Sequence, residues 1–496
     1  MERVSATIEP MAERELREER LQKLAELRKA GIDPYPSKVP RTETVASFIQ
    51  SFDTLEKKAS VVSLAGRVMS YREHGGIAFA DLFDGSGRVQ IVLRKEELGD
   101  SFTEFLRFVD QGDFISVSGV PFTTKRGERS LKASSWQIAT KAIVPPPSEW
   151  YGVQDEELRL RERYLEILLD PEVRAMFERR AHFWQTIRSF LVGRGFMEVE
   201  TPTLELDPGG ADARPFMTHH HALDTDVYLR ISAGELWQKR LLVAGFEKIF
   251  EIGRIFRNEG MSSEHLQDYT QLEFYSAFED YRDGMKLVQE LYRTIAREVY
   301  GKSTFTIREH TVDLDKEWEI IDYSALLKKK FNINVLTCSP EEAIAAAEKL
   351  SGNTPHEAMN KERAVDLLWK QVRRSISGPA FLAGVPVYME PLAKRSPQKP
   401  TIVERFQVIL AGSEIGKGYS ELNDPIDQHE RFKEQESLRE KGDQEAQRLD
   451  QAFVEALEYG MPPALGFGVS ERLFSFLENK SVRETQFFPL MRRKGS

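Results

Sequence analysis

The sequence predicts an α+β protein with two parts, a small N-terminal β-barrel and a larger domain in which helices surround an antiparallel sheet. Three observations predict this fold. The chain has 496 residues, enough for about three domains. Residues 60–142 contain five short strand patterns with turn signals between them. Beyond residue 150, strand and helix patterns do not alternate regularly, which argues against a doubly wound parallel sheet.

The first predicted element is a helix over residues 12–30. Leucines recur there near helical spacing among many charged residues, and Gly31 and Pro34 end the pattern. Such a helix is typical of a solvated amphipathic arm and equally of a helix that contacts RNA. We assign residues 1–59 to this arm and its lead-in.

Residues 60–147 form the predicted barrel. Its strand patterns lie at 61–71, 75–84, 87–94, 114–122 and 130–139, and a helical stretch, 95–109, follows the third strand. Five strands with a helix in this place suit an OB-type barrel. Three consecutive prolines, 145–147, indicate a stiff linker at its end.

Residues 148–496 form the predicted second domain, with a helix-rich insertion at about 311–378. We expect helices near 171–194, 282–300 and 428–459 from their periodicity. We expect strands at 228–232, 248–255, 269–279, 380–388, 405–410 and 417–422. Most of these elements fit a large antiparallel sheet with helices packed around it.

Composition excludes several classes of protein. The net charge is −10, so we expect any nucleic-acid site to be local rather than spread over the surface. Cys338 is the one cysteine, which excludes a disulfide framework and a cysteine-based zinc site within the chain. There is no apolar run of about 18 residues and no signal-peptide core. We therefore expect a cytoplasmic protein without a membrane partner.

The most informative segment is 256–275, FRNEGMSSEHLQDYTQLEFY. It has the pattern of a strand, a polar loop and a second strand. Residues two apart share one face of a strand, so Arg257 with Glu259 and Glu273 with Tyr275 form two pairs. A sheet face with so many polar groups is costly to bury unless something binds there, and the alternative is a solvated charge ladder.

Three further segments carry weaker signals. EIGKGYSELN, 414–423, holds two glutamates beside glycines, a pattern that suits Mg²⁺ bridging phosphates. GFGVSERLFSFL, 466–477, combines close-approach glycines with an arginine at a helix start. In RGFMEVETPTL, 194–204, a proline ends a strand pattern, which places that segment at an edge or an interface.

Together these segments resemble the class II aminoacyl-tRNA synthetases, and specifically their lysyl branch. Residues 194–204, 256–275 and 466–477 are similar to motifs 1, 2 and 3 of the class. The stretches similar to the lysyl branch are ERYLEILLDPEVR (162–174), PGGADARPFMTHHHALD (208–224), EPLAKR (390–395) and EIGKGYSELNDPIDQ (414–428). The resemblance covers nearly the whole chain. It implies an anticodon-binding OB domain, an antiparallel catalytic domain and a homodimer whose interface includes motif 1.

The activity that the resemblance implies is the activation of L-lysine by ATP and the transfer of the lysyl group to the 3′ end of tRNA(Lys). Positioning and charge neutralisation do most of this work. The implied catalytic residues are Arg257, Glu259, His265 and Arg472. The same four, with Tyr269 and Glu414, are the implied ATP-binding residues, with Tyr269 beneath the adenine.

The resemblance also implies the remaining sites. Glu235 meets the α-amino group of lysine, and Glu273, Tyr275 and Asn423 meet its side-chain ammonium. Glu414 and Glu421 hold Mg²⁺. In the barrel, Arg72, Phe79, Gln90 and Glu128 match positions that contact the anticodon, although a core role for Phe79 is an alternative for an aromatic residue in a barrel strand.

Three other readings of the sequence stay open at this point. One is an aspartyl or asparaginyl enzyme of the same class, and the aspartyl branch would be expected to place cations where this chain has acidic residues. Another is a lysine-activating relative with a non-tRNA acceptor, against which the predicted barrel argues. The third is a non-catalytic RNA-binding protein, against which the retained residues of motifs 2 and 3 argue.

Overall fold

The computed structural model describes residues 11–147, 156–211, 213–260, 262–351, 359–440 and 446–493. The chain forms two compact units, Met1–Gly152 and Val153–Ser496. The predicted boundary between residues 147 and 148 borders residues 148–155, which lie outside the described ranges. No helix in these ranges is long and apolar enough to cross a membrane.

The first unit contains a closed five-stranded barrel. Its elements, in chain order, are α1 (Met11–Lys29), α2 (Val45–Lys57), β1 (Val62–His74), β2 (Ile77–Phe83), β3 (Arg88–Arg94), α3 (Lys95–Leu98), α4 (Asp100–Phe108), β4 (Phe114–Thr123) and β5 (Arg129–Thr140). The strand order is β1-β2-β3-β5-β4, in which only β3 and β5 run parallel. All five predicted strands are present, and the predicted OB-type barrel is confirmed.

Alternation along β2 decides which of its side chains face outward. Ala78, Ala80 and Leu82 are buried in the barrel core, whereas Phe79 and Asp81 are half-buried on the opposite face of the strand. Phe79 therefore lies outside the barrel core. The helix α2, which the sequence analysis does not predict, packs buried apolar side chains against the same core and is capped by Thr44.

The second unit holds the remaining elements. Its helices are α5 (Glu156–Arg161), α6 (Arg163–Leu169), α7 (Pro171–Val192), α8 (Glu235–Val243), α9 (Tyr281–Tyr300), α10 (Tyr323–Phe331), α11 (Pro340–Ser351), α12 (Lys361–Arg373), α13 (Pro425–Glu440), α14 (Gln451–Glu458) and α15 (Arg472–Leu477). Its strands are β6 (Met197–Glu198), β7 (Leu204–Glu205), β8 (Met217–His220), β9 (Thr225–Leu229), β10 (Lys248–Phe256), β11 (Asp268–Ala277), β12 (Thr304–Ile307), β13 (His310–Asp313), β14 (Glu319–Asp322), β15 (Ala380–Ala383), β16 (Arg405–Leu410), β17 (Ser413–Ser420) and β18 (Ala464–Ser470).

An eight-stranded sheet forms the centre of this unit, in the order β14-β15-β16-β17-β18-β11-β10-β6. The six central strands are antiparallel, as predicted. The strands at both edges, β14 and β6, run parallel to their neighbours, so the sheet is mixed. Both edge strands are short, with two to four residues that carry almost no pattern of their own.

Several predicted elements differ from the observed ones in extent. The helix expected over 428–459 begins at Pro425 and is two helices, α13 and α14, with residues 441–445 outside the described ranges. The insertion predicted at about 311–378 holds α10, α11 and α12, but it also supplies the edge strand β14. The insertion is therefore attached to the central sheet by backbone hydrogen bonds.

Two apolar clusters cover the two faces of the central sheet. One includes Phe183 of α7, Tyr292 of α9 and Phe274 of β11. The other includes Leu236 of α8, Trp369 of α12 and Phe453 of α14. Burial on both faces fixes the register of the sheet, because a slip of one residue would exchange every buried side chain for its neighbour.

Candidate functional site

The hairpin of β10 and β11 carries the largest group of predicted site residues. Glu273 and Tyr275 of β11 alternate with Leu272 and Phe274, whose side chains are completely buried in the core on the other face. On the neighbouring strand β18, two glycines stand directly opposite Glu273 and Tyr275. The sheet is therefore open above these two side chains.

Gly466 is one of these glycines, and no larger residue fits in its place. A Cβ there would lie 1.9 Å from Oε1 of Glu421 and 2.7 Å from the ring of Tyr275. The close approach explains why glycines alternate with core residues in β18. Glycine here leaves room for the side chains of Tyr275, on the neighbouring strand β11, and of Glu421, which follows β17.

We call the resulting cavity of 310 Å³ the carboxylate pocket. Its volume lies at the lower end of the range for small-molecule sites. Its deepest polar side chains are those of Glu235, Glu273 and Glu421, and the hydroxyl-bearing rings of Tyr275 and Tyr419 stand between them. The three carboxylates are 6%, 4% and 1% exposed.

One buried cation faces these carboxylates. The Nζ of Lys239 lies 2.7 Å from Oε1 of Glu235 and 2.6 Å from Oε2 of Glu421, and its side chain is completely buried. Among the described residues, no other lysine or arginine forms an ion pair with the three glutamates. Three carboxylates less one ammonium leave two negative charges when all are ionised. A ligand with two ammonium groups would balance them.

Burial controls the protonation of this pocket. Glu273 accepts hydrogen bonds from the Ala233 backbone N–H at 2.8 Å, from Gln271 Nε2 at 2.6 Å and from the Tyr275 hydroxyl at 3.1 Å. Burial, followed by the negative charge of Glu235, nevertheless raises the pKa of Glu273 to about 7. Burial likewise raises the pKa of Glu421 to about 8, although the Lys239 ammonium opposes that shift.

The loop before α8 places Glu235 in the pocket. Gly234 has φ +78°, and a Cβ on it would lie 2.1 Å from Oγ1 of Thr201, so only glycine fits this turn. Glu235 follows as the first residue of α8, and Lys239 lies one turn later on the same face. The Tyr419 hydroxyl donates a short hydrogen bond to Oε1 of Glu235.

A second group of site residues lies beyond the mouth of the pocket. A recess of 110 Å³ is lined by residues that include Arg257, Glu259, His265, Tyr269 and Arg472. The Arg257 guanidinium lies 5.8 Å from the centre of the Tyr269 ring and donates a 3.2 Å hydrogen bond to the Ile231 carbonyl. The structure thus brings together all four predicted catalytic residues and the predicted adenine-stacking tyrosine.

Glu264, which no sequence pattern indicates as a site residue, forms ion pairs within this second group. Its carboxylate forms ion pairs with Arg472 at 2.7 Å and with Arg308 at 2.5 Å. Burial opposes ionisation, but Arg472 and Arg308 outweigh it and lower the pKa of Glu264. Burial and the Arg472 charge lower the pKa of His265, whose Nδ1 lies 2.8 Å from Ser262 Oγ.

The two predicted metal ligands lie in different cavities. Glu414 lines a cleft of 470 Å³ that we call the arginine cleft, whose cationic residues include Arg257, Arg373, Arg405 and Arg472. Glu421 instead lines the carboxylate pocket, where it is paired with Lys239. Within the described ranges, no group of three or more His, Cys, Asp or Glu side chains is arranged to hold a metal.

Asn423 is not brought to the carboxylate pocket. Its Oδ1 accepts a hydrogen bond from Nζ of Lys394, and its Nδ2 donates to the Met461 carbonyl at 3.0 Å. Asn423 is not among the residues that line the cavity. Its role as a lysine ligand stays a prediction of the family resemblance.

The four barrel residues predicted to contact an anticodon lie together. Arg72, Phe79, Gln90 and Glu128 line one cleft of 420 Å³, which we call the barrel cleft. Strand pairing explains this, because Phe79 of β2 faces Arg72 of β1, and the Arg72 guanidinium lies 5.3 Å from the centre of the Phe79 ring. Oε1 of Gln90 accepts a 3.1 Å hydrogen bond from Ser130.

Two known-family matches agree with this geometry. A family model described as tRNA synthetases class II (D, K and N) matches residues 155–492. A model described as OB-fold nucleic acid binding domain matches residues 62–139. The chain is therefore a class II tRNA synthetase of the D, K and N group, with an OB-fold domain before the synthetase domain.

Relatives that match over nearly their whole length show which branch of this group the chain belongs to. The chain is 42% identical over 483 residues to the lysine–tRNA ligase of Roseiflexus sp. (strain RS-1), covering 96% of this chain and 99% of the relative. It is 42% identical to that of Halalkalibacterium halodurans, over 96% and 97% of the two chains. It is 40% identical to that of Thermotoga sp. (strain RQ2), over 97% of each. The chain belongs to the lysine–tRNA ligase family.

Proposed function

We propose that this chain joins lysine to AMP with ATP and then transfers the lysyl group to the 3′ end of tRNA(Lys). The observation that carries the choice of lysine is the charge of the carboxylate pocket, in which three buried glutamates face one buried ammonium. Lysine brings two ammonium groups to a pocket that has two uncompensated negative charges when its three carboxylates are ionised. An aspartate pocket would need the opposite balance.

The activation step needs two anions to meet. An oxygen of the lysine carboxylate attacks the α-phosphorus of ATP, the bond to the β-phosphate breaks, and pyrophosphate leaves. Arg257 lines both the carboxylate pocket and the recess beyond it, which supports it as the residue that neutralises both anions. Tyr269 offers a ring face to adenine, and Glu259 is the proposed acceptor for the adenine amino group.

Arg472 and His265 are the proposed contacts for the phosphates that leave. Arg472 is anchored by Glu264 at 2.7 Å, which fixes the guanidinium before the substrate arrives. In the second step, a ribose hydroxyl of the terminal adenosine attacks the lysyl carbonyl carbon, AMP leaves, and the hydroxyl proton is released. Within the pocket, we assign Glu235 to the α-amino group, and Glu273 with Tyr275 to the side-chain ammonium.

The residues around Glu414 suit a Mg²⁺ ion that is bound by a carboxylate and substrate phosphates, and not by protein ligands alone. Mg²⁺ is commonly held by one or two carboxylates together with substrate phosphates. Glu414 lines the arginine cleft with Arg257 and Arg472, the residues proposed to contact the phosphates. We propose Glu414 as a ligand and keep Glu421 as the predicted second ligand. When bound, the ion would neutralise phosphate charge during the displacement.

We assign anticodon binding to residues 60–147 and catalysis to residues 148–496. The barrel cleft supports this assignment, because an outward aromatic side chain beside an arginine suits an unpaired base. We further propose a homodimer that uses motif 1 and its surroundings. Met197, Leu204 and Leu206 are 44%, 48% and 63% exposed there, which is unusual for apolar side chains clustered in one segment. The cytoplasm is the proposed location, where tRNA and ATP are available.

The experiment that tests the proposed function is amino-acid-dependent pyrophosphate exchange, run with each of the twenty amino acids. The proposal predicts exchange with lysine far above all others. Exchange with aspartate or asparagine would place the chain with another branch of the group. No exchange with any amino acid would indicate a non-catalytic protein, and lysine exchange without charging of tRNA would indicate a different acceptor.

A further inference from the structure

The helix-rich insertion contributes a basic residue, Arg373, to the arginine cleft. The arginine cleft is lined by residues of α12, the third helix of the insertion, and by Arg257, His265 and Arg472. From α12, Trp369 and Arg373 reach into the region around Glu414. The helix α12 therefore contacts Glu414 through two side chains.

Arg373 has bonding capacity that its protein neighbours do not use. Its Nη1 lies 3.5 Å from Oε2 of Glu414, a long contact for an ion pair. Its Nε is buried and has no hydrogen-bond partner among the described residues. Glu414 already accepts a short hydrogen bond from Nε1 of Trp369 on its other oxygen. An arginine held loosely by one carboxylate keeps donors free for a bidentate anion.

The charge surroundings agree with an anion site. Arg373 and Arg472 line one cleft, and Nε of Arg472 is also buried with no hydrogen-bond partner in the described part of the chain. Two guanidinium groups in one cleft repel each other, and Glu264 and Glu414 offset them only partly. Burial of such cations is costly unless an anion enters between them. A phosphate chain brings several negative charges and many acceptor oxygens.

We propose that Arg373 is a further binding residue for the β- and γ-phosphates of ATP, and hence for the pyrophosphate that leaves. The proposal deepens the proposed function, on which it rests. As the bond between the α- and β-phosphates breaks, negative charge accumulates on the departing β-phosphate oxygen. A guanidinium beyond Arg472 would stabilise that charge and make the insertion part of the ATP site.

Arg373→Gln and the matched control Arg374→Gln test this proposal. Arg374 is the next residue, is exposed, and does not line the cleft. We expect Arg373→Gln to raise KM for ATP and for pyrophosphate about 10- to 100-fold, because hydrogen bonds between charged groups are stronger than those between neutral groups. KM for lysine should stay within about twofold of the parent value, which is a small change in binding free energy. Arg374→Gln should behave like the parent.

Equilibrium binding of inorganic pyrophosphate gives a readout independent of catalysis. Arg373→Gln should weaken it, and Arg373→Lys should restore part of it, since lysine keeps the charge but not the bidentate geometry. Parent-like pyrophosphate binding by Arg373→Gln would overturn the proposal. An equal loss in Trp369→Phe, which keeps Arg373 but removes a bond to Glu414, would also overturn it, because Arg373 would then act only by positioning Glu414.

The same measurements separate this proposal from the proposed function. If the parent shows no lysine-dependent exchange and yet Arg373→Gln loses pyrophosphate affinity, the anion site stands and the lysine ligase activity does not. If exchange is normal and pyrophosphate affinity does not change, the activity stands and Arg373 is not a phosphate ligand.

Discussion

The carboxylate pocket and the barrel cleft differ in how deeply their charged and aromatic side chains are buried. The pocket uses charges that are almost completely buried, with Glu273 only 4% and Glu421 only 1% exposed. The barrel cleft uses an exposed arginine, Arg72, and a half-buried ring, Phe79, on the outside of a strand. One site excludes water from its charges, and the other leaves its recognition groups in contact with solvent.

This difference predicts how steeply each site responds to change. A buried charge without a partner is costly, because the low dielectric strengthens both the attraction of a partner and the penalty of its loss. A stacking contact at a surface contributes less and is shared with neighbouring contacts. Substitutions in the pocket should therefore affect lysine binding much more than substitutions in the barrel cleft affect tRNA binding.

The largest effect is expected for Glu273→Gln, which keeps the shape and removes the charge. Unpairing a buried charge costs about 3–5 kcal/mol, roughly a hundredfold to a thousandfold or more in KM for lysine. KM for ATP should change little in pyrophosphate exchange on the same preparation. Loss of ATP binding as well would instead mean that the hairpin carrying Arg257 had unfolded.

Glu205→Gln is the matched control for this substitution. Glu205 is 6% exposed, and burial raises its pKa to about 7, as for Glu273, but it lies outside the carboxylate pocket. Both substitutions remove a buried carboxylate, so a general loss of stability would appear in both. A similar rise in lysine KM for both variants would remove Glu273 from the lysine site.

The next largest effect is expected for Glu421→Gln, which also separates two roles for this residue. If Glu421 is a metal ligand, the substitution should raise the Mg²⁺ concentration that adenylate formation requires. If Glu421 acts as the partner of Lys239, the substitution should raise KM for lysine, because the pocket loses one of its three carboxylates. Titrating Mg²⁺ and lysine in pyrophosphate exchange distinguishes these outcomes, and unchanged values in both titrations would exclude both roles.

A smaller effect is expected for Phe79→Ala in the barrel cleft. Loss of one base stack costs about 1–3 kcal/mol, which should appear in aminoacylation of tRNA. Pyrophosphate exchange without tRNA should not change, and Phe122→Ala, a half-buried barrel phenylalanine outside the cleft, should leave both assays unchanged. Equal losses in both assays would show that Phe79 supports the barrel instead of binding RNA.

The smallest effect is expected from pH. Because the pKa of Glu273 is raised to about 7 in the free pocket, a lysine ammonium must displace a proton from it at neutral pH. Lysine affinity should therefore rise between about pH 6 and 8 by up to roughly tenfold, the limit for one proton across one pH unit or so. Calorimetry in buffers of different ionisation enthalpy should detect proton release near pH 7 and none at pH 9.

The same pKa sets the sign of a stability effect. The carboxyl group of Glu273 binds its proton more tightly in the folded protein than its ordinary value of 4.5 allows. Its contribution to stability is complete below that value and is lost as pH rises through about 7. The protein without lysine should therefore unfold more easily at pH 8 than at pH 6, and added lysine should reduce the difference. Equal unfolding midpoints at both pH values would contradict the raised pKa.

Much of the fold could be predicted from local sequence patterns. The five barrel strands alternate between core and surface, and the long strands β10 and β11 carry enough residues to be predicted as strands. The two-residue strand β6 and the four-residue strand β14 could not be predicted as sheet edges. Their pairing depends on neighbours far away in the chain, and so does their parallel direction.

The site followed the same rule. The predicted residues of the β10–β11 hairpin lie close together, because a hairpin brings neighbouring sequence into one place. Lys239 was missed, although it lies four residues after Glu235 on one helix face, which is a readable signal. Tyr419 and Arg373 had no such signal. They reach the site from a distant strand and from the insertion, so only the tertiary structure places them there.

The most direct test of the central claim is the ratio of lysine to norleucine activation, measured as kcat/KM in pyrophosphate exchange for the parent and for Glu273→Gln. Norleucine has the four side-chain carbons of lysine but no side-chain ammonium, so it does not use the charge of Glu273. If the charge of Glu273 selects lysine, the ratio is high in the parent and falls by about a hundredfold or more in the variant, the cost of one buried unpaired charge. A ratio that stays the same in both proteins would contradict this role of Glu273, because lysine would then be selected by something other than the pocket's excess of carboxylates.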